Sequence, residues 1–188
     1  MGQDDSEGAG RRPPAAGGPG VGAGNDPRTT ADWLNWLKER LYATITMISV
    51  VIGLTAAEHP TPAGAATSVA AAAGGLWLAT LVADEQAHRT VHGRIATGAE
   101  LRRMLWVSSP LLLSAVGPLI LIGSAALDVM DLEAALFAAA GVNVAGLFAW
   151  GCYGGVRMGN SIRAAVLAGV FDAVIGLAVA LVKAAAGH

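Results

Sequence analysis

The sequence predicts an all-α membrane fold, a polytopic bundle of five transmembrane helices behind a disordered N-terminal tail. Three observations carry that reading. The 188 residues are 54% hydrophobic and only 14% charged, with a mean hydropathy of +0.53, whereas about a quarter of the residues in soluble domains are charged. Charge is also uneven: a polar leader precedes Leu41, and later charges gather in short breaks between long apolar runs, as in segments that face lipid. Finally, nearly all the basic residues fall on one side of those runs.

Residues 1–28 are rich in Gly, Pro, Asp and Ser around Arg11-Arg12-Pro13-Pro14. They show no apolar period, so they cannot bury enough surface to offset the entropy of ordering, and a disordered tail is expected. The basic pair is followed by Pro and Gly instead of an apolar segment, which argues against a secretory or twin-arginine signal. The membrane domain is assigned to 29–188. Thr29 or Thr30 is the expected cap of a helix starting near Ala31, with Asp32 in its first turn and Trp33, Trp36 and Leu37 in the membrane interface.

A first span is expected at about 41–57, ended by Glu58-His59-Pro60-Thr61-Pro62 because neither proline can continue the preceding helix. The second, about 63–83, is rich in Ala and Gly and suited to close packing through Gly64, Ser68, Gly74 and Gly75. Its helix is expected to project one or two turns further, through Asp84 to His92, before Gly93. Thr97-Gly98-Ala99-Glu100 reads as a capping box for the third helix. That helix crosses at about 105–127 with Pro110 and Gly117-Pro118 as bending points. The fourth span is expected at about 132–153, then a Gly-rich turn through Asn160, a Ser161 cap, and a fifth span at about 162–182.

Orientation follows from the cations. Arg28, Lys38 and Arg40 precede the first span, Arg89, Arg94, Arg102 and Arg103 separate the second and third, and Arg157 and Arg163 separate the fourth and fifth. Only Lys183 falls opposite, so the positive-inside rule puts the N-terminus in the cytoplasm and the C-terminus outside a cell membrane. Trp33, Trp36, Tyr42, Trp106, Trp150 and Tyr153 fall near the same ends, as an interfacial aromatic belt would.

Two groups are candidates for chemistry. Asp172 stands mid-way along the fifth span, where a carboxyl needs a proton, an ion or water as partner. Asn143 of the fourth span and Thr44, Thr46 and Ser49 of the first are its candidate neighbours, and proton or cation handling competes with a hydrogen bond from Asp172 to Asn143 between helices. Asp84, His88 and His92 repeat every four residues on one helical face beside Glu85. Imidazole and carboxylate suit divalent metals, although solvated interfacial residues and a Glu85–Arg89 pair explain the same pattern. Glu58 and His59 read as turn residues. Small-residue repeats such as Gly141/Ala145 and Gly169/Ala173 favour helix packing.

The lone Cys152 reads as a small packing residue, a net charge of −2 with scattered basic residues argues against nucleic acid, and no catalytic motif indicates an enzyme or a resident cofactor. Ser114-Ala115-Val116-Gly117-Pro118-Leu119-Ile120, together with the Gly-rich turn and closing helix from Gly151 to Gly176, resembles the vacuolar iron transporter-like family of five-helix divalent cation carriers. The resemblance covers about half the chain and implies a homodimer with an intersubunit pathway and a divalent metal ion as substrate. Where that family has an Asp-Gly pair in the first span, this chain has Thr44-Ile45-Thr46-Met47, so no first-span ligand carries over. The expectation is a secondary transporter handling divalent cations or protons through Asp172 and Asn143, with Asp84, His88 and His92 facing the metal. A non-transporting membrane scaffold with a partner-binding tail is the alternative.

Overall fold

The computed structural model describes residues 27–186, which form five helices: α1 (Pro27–Thr55), α2 (Pro62–His92), α3 (Ala99–Ala126), α4 (Leu132–Arg157) and α5 (Ile162–Ala186). There is no strand among the described residues. Four of the five are long and apolar enough to cross a membrane: α2, α3, α4 and the stretch Ile162–Lys183 of α5. The count expected from sequence was five, and α1 is the difference. Its apolar stretch, Leu41–Thr55, follows directly on Lys38, Glu39 and Arg40 and measures only about 22 Å at 1.5 Å per residue.

The helix ends follow local chemistry. Pro27 opens α1, where its fixed φ and missing N–H cost nothing, so Thr29 and Thr30 lie inside the first turn and are not caps. The tail expected over 1–28 therefore loses its last two residues to α1, and its first 26 lie outside the described residues. Thr61 caps α2 by accepting from Gly64 N–H at 3.1 Å, with Pro62 next to it. Gly93 ends α2 in the left-handed conformation (φ 66°), donating its N–H to Arg89 O. The expected extension of α2 past the apolar run is thus present.

The full capping box ahead of α3 is not formed: Gly98 is the cap and offers no side chain, and the Glu100 carboxylate is held chiefly by both Arg94 Nη atoms at 2.7 and 2.6 Å, with the Thr97 backbone contributing less. Pro110 and Pro118 lie within α3, which remains one helix through both. Ser109 Oγ donates to Trp106 O at 2.8 Å, the carbonyl that Pro110 cannot serve. α4 continues one turn beyond the expected Tyr153, to Arg157. Ser161 caps α5 as expected, accepting from Ala164 N–H at 3.4 Å.

Helix α1 lies against each of the other four helices, and Ala43, Met47, Ile48 and Val51 have no exposed surface. Met47 and Val51 pack with Val69, Ala115, Ile122, Leu136 and Ala139, and Ile48 packs with Leu147 and Ala180. Helices α4 and α5 run antiparallel and meet backbone to backbone. An added Cβ at Gly155 would come within 2.6 Å of Ala165 Cα, and one at Gly169 within 2.5 Å of Phe148 O and Cys152 Sγ. Cys152 is thus a packing group at this crossing.

That contact predicts a graded response. Gly169→Ala or Gly155→Ala should lower stability by about 1–3 kcal/mol through overpacking, whereas Gly74→Ala, which meets nothing within 4 Å, should stay within about 0.5 kcal/mol. Unfolding of the purified variants in detergent micelles measures the difference.

Candidate functional site

Where α1, α2 and α3 meet at one end of the bundle they line a half-open cavity of about 420 Å³. Each helix supplies a stripe at helical spacing. Asp32, Asn35 and Glu39 come from one face of α1 with Lys38 beside them, Asp84, His88 and His92 from α2, and Glu100 and Arg103 from the start of α3. Arg103 Nε donates to Asp32 Oδ1 at 2.5 Å, tying α1 to α3 across the mouth. The Glu85 carboxylate accepts from Ala96 N–H at 3.3 Å and pairs with Arg89 at 3.5 Å, which fixes the connection between α2 and α3.

The expected group Asp84, His88 and His92 therefore does share one wall. The His88 and His92 rings stack at 4.3 Å, and His92 Nδ1 lies 3.2 Å from His88 O. The His88 side chain is only 8% exposed, and its buried Nε2 has no hydrogen-bond partner, with Glu100 Oε2 at 3.6 Å. Among the described residues, however, no three His, Cys, Asp or Glu side chains are grouped so that they could hold a metal ion. The three residues expected to face a metal form a cavity wall, not a preassembled ligand set.

Electrostatics concentrate on two carboxyls. Burial raises the Glu39 pKa above its ordinary 4.5, with Lys38 opposing and the Asp84 charge adding to the rise. Burial likewise raises Asp84 above 3.8, again against Lys38. These are the two carboxyls of the cavity whose protonated form burial favours. Glu100 behaves oppositely: the Arg94 hydrogen bonds hold it down at about 2, so it remains charged.

The second expected pair is not assembled. Asn143 is buried, but its Nδ2 donates to Ala139 O one turn back at 3.0 Å. Asp172 is exposed on the outside of α5, and Gly151 is the residue it faces on α4, where an added Cβ would come within 2.5 Å of Asp172 Oδ2. Gly151 and Asn143 are eight residues apart, about 12 Å along the helix, and no hydrogen bond joins Asp172 to Asn143. The first-span hydroxyls are engaged elsewhere: Thr44 Oγ1 donates to Arg40 O, Ser49 Oγ donates to Ile45 O, and Thr46 Oγ1 accepts from Lys183 Nζ at 3.3 Å.

Sequence reasoning missed Asp32, Lys38, Glu39 and Arg103 as cavity residues. The polar spacing of Asp32, Asn35 and Glu39, set beside the apolar residues Trp33, Trp36 and Leu37, was the available signal.

The raised carboxyls give a testable sign. A carboxyl that binds its proton more tightly folded than unfolded costs stability as pH climbs through that window. Asp84→Asn and Glu39→Gln should therefore each raise the unfolding midpoint at pH 7 and lose that gain towards pH 4, as read by thermal unfolding in detergent across pH. Comparison with known proteins gives no family model, curated protein or solved structure that matches this chain.

Proposed function

We propose that the chain is a five-span membrane protein, N-terminus cytoplasmic and C-terminus outside, and a secondary transporter handling protons or divalent cations. Its cytoplasmic entrance is the cavity between α1, α2 and α3. The observation that carries this reading is the pairing, in one cavity, of two carboxyls whose burial favours the protonated form with the unpartnered, buried His88 Nε2. Such a site takes up and releases protons near the membrane surface. A divalent substrate entering the cavity would pass Glu39, Asp84 and His88 without finding a preassembled ligand set among the described residues.

The α1 segment Leu41–Thr55 crosses as the fifth span because neighbours surround it and little of it needs to face lipid. The Gly- and Pro-containing α3 and the Gly-rich turn before α5 support a diverged relationship to the vacuolar iron transporter-like family. The homodimer that this relationship implies would offer a cover for the outward Asp172.

One observation favours the alternative, a non-transporting membrane scaffold with a partner-binding tail. The core beyond the cavity is apolar, built from Met47, Val51, Val69, Ala115 and Ile122, and it closes the bundle below the polar residues.

Liposomes carrying the purified protein and an internal pH dye separate the two. The transporter moves protons, or Mn²⁺ against protons, and Asp84→Asn or Glu39→Gln slows that flux by at least about tenfold. A folded wild type without flux points to the scaffold, and flux unchanged by Asp172→Asn removes Asp172 from the mechanism.

A further inference from the structure

The face of α1 next to the one that lines the cavity carries a second, unlike cluster. Trp33 and Trp36 of α1, Trp106 of α3 and Trp150 of α4 form a continuous chain of ring contacts, with centroids 5.7, 5.2, 6.2 and 6.0 Å apart. Tyr153 extends it by an edge contact of 5.7 Å to Trp150. The Arg40 guanidinium is held in this cluster, 5.1 Å from the centroid of Trp150 and 5.6 Å from that of Trp36. Arg157 lies over Tyr153 at 6.0 Å, one turn further out.

Arg40 combines a missing anion, which it shares with other cations of the bundle, with a buried and unaccepted N–H. Asp32, Glu85 and Glu100 each pair with a cation, yet among the described residues no carboxylate pairs with Arg40. Its Nε is buried and accepted by nothing. Burial alone pushes its pKa down, as expected of a cation removed from water without an opposite charge. Ring faces attract a guanidinium but accept none of its five N–H bonds.

We propose that Arg40, clamped by Trp36 and Trp150, binds the phosphate of an anionic phospholipid in the leaflet at this end of the bundle. A guanidinium fork matches two phosphate oxygens. The neighbouring rings of Trp33 and Trp106 are about half exposed, at 55% and 41%, and offer an apolar and amphipathic surface at headgroup level for the glycerol and first methylenes. A free phosphate would leave that surface unused, which is why the lipid is the favoured source. The proposal needs the chain to be in a membrane, and it is independent of any transport through the cavity.

Tryptophan fluorescence tests it, since four of the five tryptophans lie in the cluster. Full-length protein is placed in phosphatidylcholine vesicles and titrated with either brominated phosphatidylglycerol or brominated phosphatidylcholine, with Trp77→Phe removing the distant ring. Half-maximal quenching is expected at about tenfold lower mole fraction of the glycerol lipid. Arg40→Gln should merge the two curves, while Arg102→Gln, at an α3 arginine outside the cluster, should leave them apart.

Identical curves for the two lipids in the unmutated chain overturn the proposal, and this result needs no folded variant. So does a preference that survives Arg40→Gln or disappears equally in Arg102→Gln. Loss of the preference on adding millimolar inorganic phosphate overturns the lipid as the source. Absence of quenching by either lipid would instead remove the membrane placement itself.

Discussion

Met47, Ile48 and Val51 leave no surface exposed because α1 is enclosed by the other four helices, and that enclosure lets a helix with a short apolar stretch occupy the axis of the bundle. Among helices in lipid there is no hydrophobic gain from association, so close van der Waals packing must hold them. α1 meets the requirement with side chains of complementary size, while α4 and α5 meet it by deleting side chains at Gly155 and Gly169. Once α1 is fixed at the axis, its N-terminal turns, residues 32–40, emerge among the ends of α2, α3 and α4, and every polar feature at that end is arranged around them.

Those turns divide into two faces about 100° apart, one residue out of step. Asp32, Asn35 and Glu39 meet the acidic and imidazole groups of α2 and the arginine of α3. Trp33, Trp36 and Arg40 meet the tryptophans of α3 and α4. The first face gathers carboxyls around one amine, Lys38, and their burial raises the pKa values of Glu39 and Asp84, with the Asp84 charge adding to the rise at Glu39. The second isolates a positive charge among rings. A carboxylate so near in sequence as Glu39 does not neutralise Arg40 because consecutive helical residues do not face one another.

How much of this was legible in the sequence depends on the range of the interaction. The projection of α2 to Gly93, the Ser161 cap and the approximate limits of α2 through α5 are written in local signals, and the structure keeps them. The full capping box failed because Glu100 had a better partner in Arg94, and the motif ignores competitors outside its four residues. The cavity was only half visible. Asp84, His88 and His92 share a face by simple periodicity, but Asp32 and Arg103 are 71 residues apart in sequence, and only the packing of α1 against α3 joins them.

Asp172 was legible as an anomaly and not as a contact. Its depth in α5 follows from counting residues, but the direction it faces is set by which stripe of α5 carries the residues that meet α4 and α1, namely Ala165, Gly169, Gly176 and Ala180. Asp172 lies three residues beyond Gly169, at the edge of that stripe, with its carboxyl beside Gly151 and with Phe171 and Ile175 exposed next to it. A charged carboxylate facing hydrocarbon costs about 3 kcal/mol on insertion scales, and Asn143, about two turns away on α4, contributes nothing to offset it. The bundle is therefore complete as a packed object and incomplete as a polar one. Its buried polar side chains Thr44, Ser49, Ser108 and Asn143 donate to carbonyls about one turn back on their own helices, whereas neither Asp172 nor Arg40 has an ion-pair partner among the described residues.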